Sequence, residues 1–346
     1  MSDTYKRTDV SKDTIELTIT IPGKNFEDSY NAIAKDQAKD LDIKGFRKGQ
    51  VPEDIVKKNL GDTVKFETFE KLAPLYINTA LTQEKIEPAA PPVYKDLPKL
   101  DLGKDIEFTI TVTIMPEFKL GNLKKIKIEK EDTEVTEKEI EDSLKELKES
   151  QKTEEKEIND KWAKEISEML NLEKVEDLKS LKKLIKDSLK ARKEHLALHG
   201  YQDKVLEEAV KLSNIEIPES AVKFEASERE NTFRYEMDQR GVDLRDFMKA
   251  QNLTFEKMRE MWEKDAKEAL EVDTLLNIYA KGKDIKISDE ELDKRVEEIK
   301  KEQGGKEIDA YSNPQWREYI RSVEIKQRAF QKLMSEVMGE DWDHKD

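Results

Sequence analysis

Strict alternation of apolar and polar residues marks two stretches in the first third of the chain. Ile15, Leu17, Ile19 and Ile21 alternate with Glu16, Thr18 and Thr20, and Pro22-Gly23 follows. Ile106, Phe108, Ile110, Val112 and Ile114 alternate with Glu107, Thr109, Thr111 and Thr113, and Pro116 follows. A period of two gives each stretch one packed and one wet face, the mark of strands in an antiparallel sheet. Ile126 and Ile128 predict a short further strand. Between the two strands the spacing becomes helical. Phe26, Tyr30, Ile33, Ala34 and Leu41 share one face; Ile55, Val56 and Leu60 follow Pro52; Val64, Phe69, Leu72, Tyr76 and Leu81 follow Gly61. Pro74 is expected to kink or interrupt that last helix. Strand, helix, helix, strand in this order predicts an α+β domain over residues 1–115.

Beyond it the pattern is helical throughout. Thr136 and Glu139 form a capping box ahead of Ile140, Leu144 and Leu147. Residues 148–156 contain no hydrophobic side chain and read as a solvated helix end or linker, the best domain boundary in the chain. Trp162, Ile166 and Met169 resume the apolar pattern, and Leu178, Leu181, Ile185 and Leu189 mark a long helix. Pro218 opens another, which Gly241 ends. A third carries Phe255, Met258, Trp262, Ala266, Leu276 and Tyr279 up to Gly282. Ser288 with Glu291 is a second capping box, and Asn313-Pro314 starts a last helix through Trp316, Ile320, Phe330 and Val337 to Gly339. The predicted division is 1–115, a linker strand and helix over 116–160, and an all-α domain over 161–346. Long, narrow-striped helices joined by short turns suit two antiparallel hairpins better than one dense bundle.

Composition sharpens this picture. The chain has 346 residues, of which 41% are charged and 36% hydrophobic, and that much charge needs the large surface of long helices. Its net charge of −15 argues against nucleic-acid binding by the whole body. There is no cysteine, which suits a reducing compartment, and no run long enough to span a bilayer or to form a signal-peptide core. A cytoplasmic protein is expected.

One octet stands apart: Gly45-Phe46-Arg47-Lys48-Gly49-Gln50-Val51-Pro52. Glycine tolerates backbone angles barred to other residues, and proline suits the first turn of a helix. The octet therefore predicts a tight loop between two helices with Phe46, Arg47 and Lys48 at its tip. An aromatic offered to water beside two cations has no folding rationale and reads as a docking point. Around it Lys44, Arg47, Lys48, Lys57 and Lys58 outnumber Glu53 and Asp54, a local basic patch on an acidic chain.

Catalytic patterns are not found. His195 and His199 stand four apart, a spacing that places both on one helix face, but no Glu follows His195 as the zinc-protease motif requires. They read as a surface pair without function, and no metal, cofactor or catalytic residue is expected. Two clusters of thioether and aromatic side chains suit a surface that accepts many apolar shapes. The first is Phe247, Met248, Leu253, Phe255, Met258, Met261 and Trp262; the second is Phe330, Met334, Val337 and Met338, with Leu333 among them. Ordinary helix–helix core is the other reading of the same residues.

These residues resemble the trigger factor family, bacterial ribosome-associated chaperones, along nearly the whole chain. Gly45, Phe46, Arg47, Lys48, Gly49 and Pro52 match its docking signature at every position. Ile86-Glu87-Pro88, the Ile106–Pro116 strand, Ile217-Pro218-Glu219-Ser220, Gly241-Val242-Asp243-Leu244 and Ile287-Ser288-Asp289-Glu290-Glu291-Leu292 match elsewhere. The resemblance implies an α+β fold: an N-terminal ribosome-docking domain with an antiparallel sheet, a linker, and an elongated all-α C-terminal domain with helical arms. It further implies that Phe46, Arg47 and Lys48 contact an exit-site ribosomal protein and nearby ribosomal RNA, that the arms hold nascent or unfolded polypeptide without ATP, and that the chain forms a homodimer off the ribosome. Family members usually carry an FK506-binding-type prolyl isomerase domain, whereas here residues 148–156 pass directly into Ile158-Asn159-Asp160-Lys161-Trp162. An ATP-independent chaperone, not an enzyme, is therefore expected. A general holdase without ribosome docking and a prolyl isomerase are the rivals.

Overall fold

A computed structural model describes residues 4–39, 53–129, 131–151, 153–304 and 309–339. It forms two compact units, each made of two separated stretches of chain. The first comprises Met1–Phe118 and Glu216–Glu271, and the second Lys119–Ile215 and Val272–Asp346.

The first unit is built on a four-stranded antiparallel sheet of order β1-β2-β4-β3, with β1 Tyr5–Asp9, β2 Thr14–Ile21, β3 Val93–Tyr94 and β4 Ile106–Thr113. The alternation in β2 and β4 sets their register. Ile15 faces Val112, Leu17 faces Ile110, Ile19 faces Phe108 and Ile21 faces Ile106, all buried. On the opposite face the hydroxyls of Thr18 and Thr109 meet at 3.1 Å. Helix α1, Gly23–Gln37, and helix α2, Glu53–Glu84, follow. Phe26 from α1 and Phe69, Ala73, Ile77, Ala80 and Leu81 from α2 cover the apolar face of the sheet.

α2 runs through Gly61 and Pro74 as one helix, so that the kink or interruption expected at Pro74 is not an interruption. Pro74 is exposed while Ala73 and Ile77 on either side of it are buried, so core contacts hold the helix together across the missing N–H. β1 and β3 have no alternating apolar pattern of their own. β1 pairs with β2, and Tyr5 donates to Glu84 Oε1 at 2.8 Å. β3 sits at the edge of the sheet among prolines, a position that tolerates them, and Tyr94 packs on Phe69 and Phe108. Gly23 is required where α1 begins, because a Cβ there would lie 2.6 Å from the Lys104 carbonyl carbon.

The same unit includes α6, Glu219–Gln239, α7, Leu244–Ala250, and the first part of α8, Phe255–Gly282. Thr113 and Ser220 hydroxyls at 2.7 Å, and Lys12 with Glu216 at 2.5 Å, join the start of this helical stretch to the sheet.

In the second unit α3, Glu137–Ser150, α4, Asp160–Met169, and α5, Leu178–Leu212, share one core of Ile140, Leu144, Trp162, Ala163, Ile166, Val175 and Leu181. The polar stretch 148–156 is thus a connection inside a packed body, not a break between bodies, and the compact units do not follow the linear division 1–115, 116–160, 161–346. No strand forms at Ile126 and Ile128; Leu123–Lys125 is a single 3-10 turn. The approach to that turn follows the end of α5 instead, where Gly121 abuts Leu212 and its N–H donates to Ser213 Oγ at 3.0 Å. α9, Asp289–Glu302, and α10, Pro314–Met338, pack through Leu292, Val296, Tyr311, Trp316 and Ile320. Arg317 pairs with Asp293, Arg321 with Asp289 at 2.6 Å and Arg328 with Glu291 at 2.8 Å across that seam.

Candidate docking and apolar surfaces

The docking octet lies outside the described residues, and with it Gly45, Phe46, Arg47, Lys48, Gly49 and Pro52. Its two supports are described. Tyr30, Ile33 and Ala34 of α1 pack on Val64 of α2, and Ala38 and Ile55 extend the contact toward the ends of the two helices. Gln37, the last residue of α1, donates its amide to Glu67 of α2. Residues 40–52 therefore connect two helices that are packed together close to both of its ends.

The first apolar cluster is brought together by α6, α7 and α8. Phe233 packs edge-on against Phe247 at 5.5 Å between ring centres and lies 5.7 Å from Trp262, which in turn contacts Phe255 at 6.4 Å. The guanidinium groups of Arg234 and Arg259 stand 5.2 and 5.1 Å from the Phe255 ring, a cation–π arrangement. Beside it lies a cleft of about 240 Å³ lined by Lys223, Glu230, Arg259, Trp262 and Glu263. The ammonium of Lys223 is held above its ordinary pKa by its hydrogen bond to Glu219.

Sequence-selected residues separate here by burial. Phe247, Met248, Leu253, Phe255 and Trp262 are half-buried, and Met261 is 55% exposed. Met258 is 5% exposed and belongs to the core, because the α8 face it occupies is the one that continues to buried Ala266. In the C-terminal cluster Phe330, Val337 and Met338 are half-buried, whereas Met334, at 0%, packs inside with Leu333 and Ala329. Met258 and Met334 are thus corrected from surface to core. Phe224, Tyr235 and Val242 are exposed apolar residues that the sequence reading missed.

His195 and His199, both exposed on α5, bring their Nε2 atoms to 3.1 Å, with ring centres 4.3 Å apart. Among the described residues no group of three or more His, Cys, Asp or Glu is placed to hold a metal ion, and no helix is long and apolar enough to cross a membrane.

A small antiparallel sheet backed by two helices, followed by a predominantly helical remainder with half-buried aromatic and thioether clusters, defines an α+β protein. Comparison with known proteins gives the family. The model of the bacterial trigger factor protein matches residues 3–147, and that of its C-terminus matches residues 177–335. The chain belongs to the trigger factor family, a family of chaperones.

It is 35% identical over 147 residues to the trigger factor of Natranaerobius thermophilus, a match covering 42% of this chain and 32% of that relative. The trigger factor of Clostridium botulinum is 24% identical, with 87% of this chain and 90% of the relative covered. That alignment runs over 408 positions, more than the length of this chain, so the relative carries residues with no counterpart here. A solved structure of the trigger factor chaperone, described for promiscuous substrate recognition in folding and assembly, shares the fold with a TM-score of 0.56 at 19% identity, over 96% of this chain and 99% of that one. The N- and C-terminal family matches leave residues 148–176 between them, where α3 is followed within ten residues by α4.

Proposed function

We propose that this protein is an ATP-independent chaperone that docks at the ribosomal exit site through residues 45–52 and holds nascent or unfolded polypeptide on apolar faces of its helices. The observation that carries docking is the position of the octet: an aromatic and two cations lie in the connection between two helices packed together near both of its ends. Its partners on the ribosome are an exit-site protein, met by Phe46, and nearby ribosomal RNA, met by Arg47 and Lys48. The half-buried group Phe247, Met248, Leu253, Phe255 and Trp262 with exposed Met261, and the group Phe330, Val337 and Met338, supply the holding surface. Weak binding at many apolar sites delays misfolding while the rest of a client is made. Off the ribosome the chain forms a homodimer, and it works in the cytoplasm.

Cosedimentation with ribosomes tests docking. Phe46→Ala with Arg47→Ala abolishes it, and added salt weakens docking of the unaltered chain because cations face phosphate and acidic groups. Undiminished pelleting of the double variant overturns docking and leaves the general holdase. The protein is not an isomerase in this reading, since the connection between α3 and α4 leaves no space for a further domain. A proline-peptide isomerisation rate above background overturns that part alone.

A further inference from the structure

We infer that His195 and His199 form a two-imidazole chelating site for a borderline divalent transition-metal ion, of which Cu2+ is the strongest binder. The spacing of four residues puts both rings on one face of α5, which sequence alone already gave. The geometry adds the approach of the two Nε2 atoms to 3.1 Å. Metal–imidazole bonds of about 2.0–2.1 Å to two nitrogens that far apart subtend about 95–102° at the ion. That lies between the angle of about 90° in square or octahedral coordination and the angle of about 109° in tetrahedral coordination. The two nitrogens are thus already spaced as a chelate requires, and an ion bound to both takes the place of the hydrogen bond between the rings.

The donor set selects the ion. Imidazole is a good ligand for copper, nickel and zinc and a poor one for magnesium or calcium, and affinity at a nitrogen site peaks at Cu2+. Both rings are exposed, so the ion enters without opening the fold. On the same helix Lys190 is engaged with Glu194 at 3.7 Å and Lys193 with Glu139 at 2.7 Å, which lessens their repulsion of an incoming ion. No third protein donor joins the pair among the described residues. The remaining positions belong to water or to a donor from another molecule, which sets this site apart from a closed structural one. An ion bridging residues four apart also fixes one turn of α5.

Titration of the full chain with Cu2+, followed by calorimetry and electron paramagnetic resonance, tests this. The expected result is one site whose spectrum shows two imidazole nitrogens. His195→Gln and His199→Gln each weaken it on the order of tenfold or more, and His344→Gln leaves it unchanged. Both changes are on exposed side chains, and an unaltered circular dichroism spectrum confirms that the variants fold. No site in the unaltered chain, equal affinity in both helix variants, or loss of the site in His344→Gln overturns the inference.

Discussion

Lys193 on α5 places its ammonium 2.7 Å from Glu139 on α3, and the same Glu139 carboxylate accepts the Thr136 N–H at 2.8 Å in the capping box that starts α3. One side chain thus closes a helix end and ties two helices of one core together. The Lys193 hydrogen bond, then those from Thr136, hold Glu139 down at about 2, from an ordinary value near 4.5. Glu291 is held at about 2 in the same way, by the Ser288 backbone N–H and then by Arg328 of α10. Both groups are depressed on folding, so the stability they supply is present above about pH 4.5 and is lost as pH falls toward 2. Acid unfolding of Glu139→Gln with Glu291→Gln, followed by circular dichroism, has a shallower pH dependence over that window than the parent. Both carboxylates face solvent, so added salt narrows the difference.

Gly23→Ala tests the close approach at the head of α1. The added Cβ meets Lys104 backbone at 2.6 Å, and a main-chain neighbour cannot turn away as a side chain can. The Gly23 N–H also donates to Asp105 Oδ1 at 2.8 Å, so a shift of the helix start breaks that bond. A loss of about 1–3 kcal/mol is expected in denaturant unfolding, comparable to overpacking a core.

Pro74→Ala has the opposite sign. The restored N–H reaches the carbonyl four residues back in the exposed side of α2, and nothing in the core changes because Ala73 and Ile77 stay where they are. Stability to denaturant rises by about 1–3 kcal/mol, the part of the proline penalty in a helix interior that the packing of α2 has not already relieved.

Much of this fold was written in local pattern. The alternation of Ile15–Ile21 with Ile106–Val112 gave both central strands, and the boxes at Thr136/Glu139 and Ser288/Glu291 and the Asn313-Pro314 start gave three helix beginnings that the structure reproduces. What was not legible depends on partners far away in sequence. β1 carries Tyr5, Arg7 and Asp9 on alternate positions and is a strand because β2 offers an edge and Glu84 binds Tyr5 and Arg7. Ile126 and Ile128 have strand alternation but pair with no strand among the described residues. Residues 148–156 read as a boundary because they lack apolar side chains, yet Trp162 from beyond them fills the core under Ile140 and Leu144. The docking octet is the reverse case, strong as sequence but outside the described residues.

Met258 and Met261 lie on a single turn of α8 but differ in burial. Periodicity grouped them, because both fall among Phe255 and Trp262, but they point to different surroundings: Met258 is 5% exposed and Met261 55%. Truncating Met258 removes a buried thioether and leaves a gap, so Met258→Ala costs about 2–5 kcal/mol in unfolding. Met261→Ala exposes nothing and leaves no gap, so its stability stays within about 0.5 kcal/mol of the parent. If the α8 surface holds clients, the order reverses in function. Met261→Ala, with Tyr235→Ala to remove the 65% exposed ring on α6, reduces suppression of aggregation of an unfolded client severalfold at unchanged melting temperature. Full suppression by that double variant, measured by light scattering at equal concentration, removes this face from the holding surface.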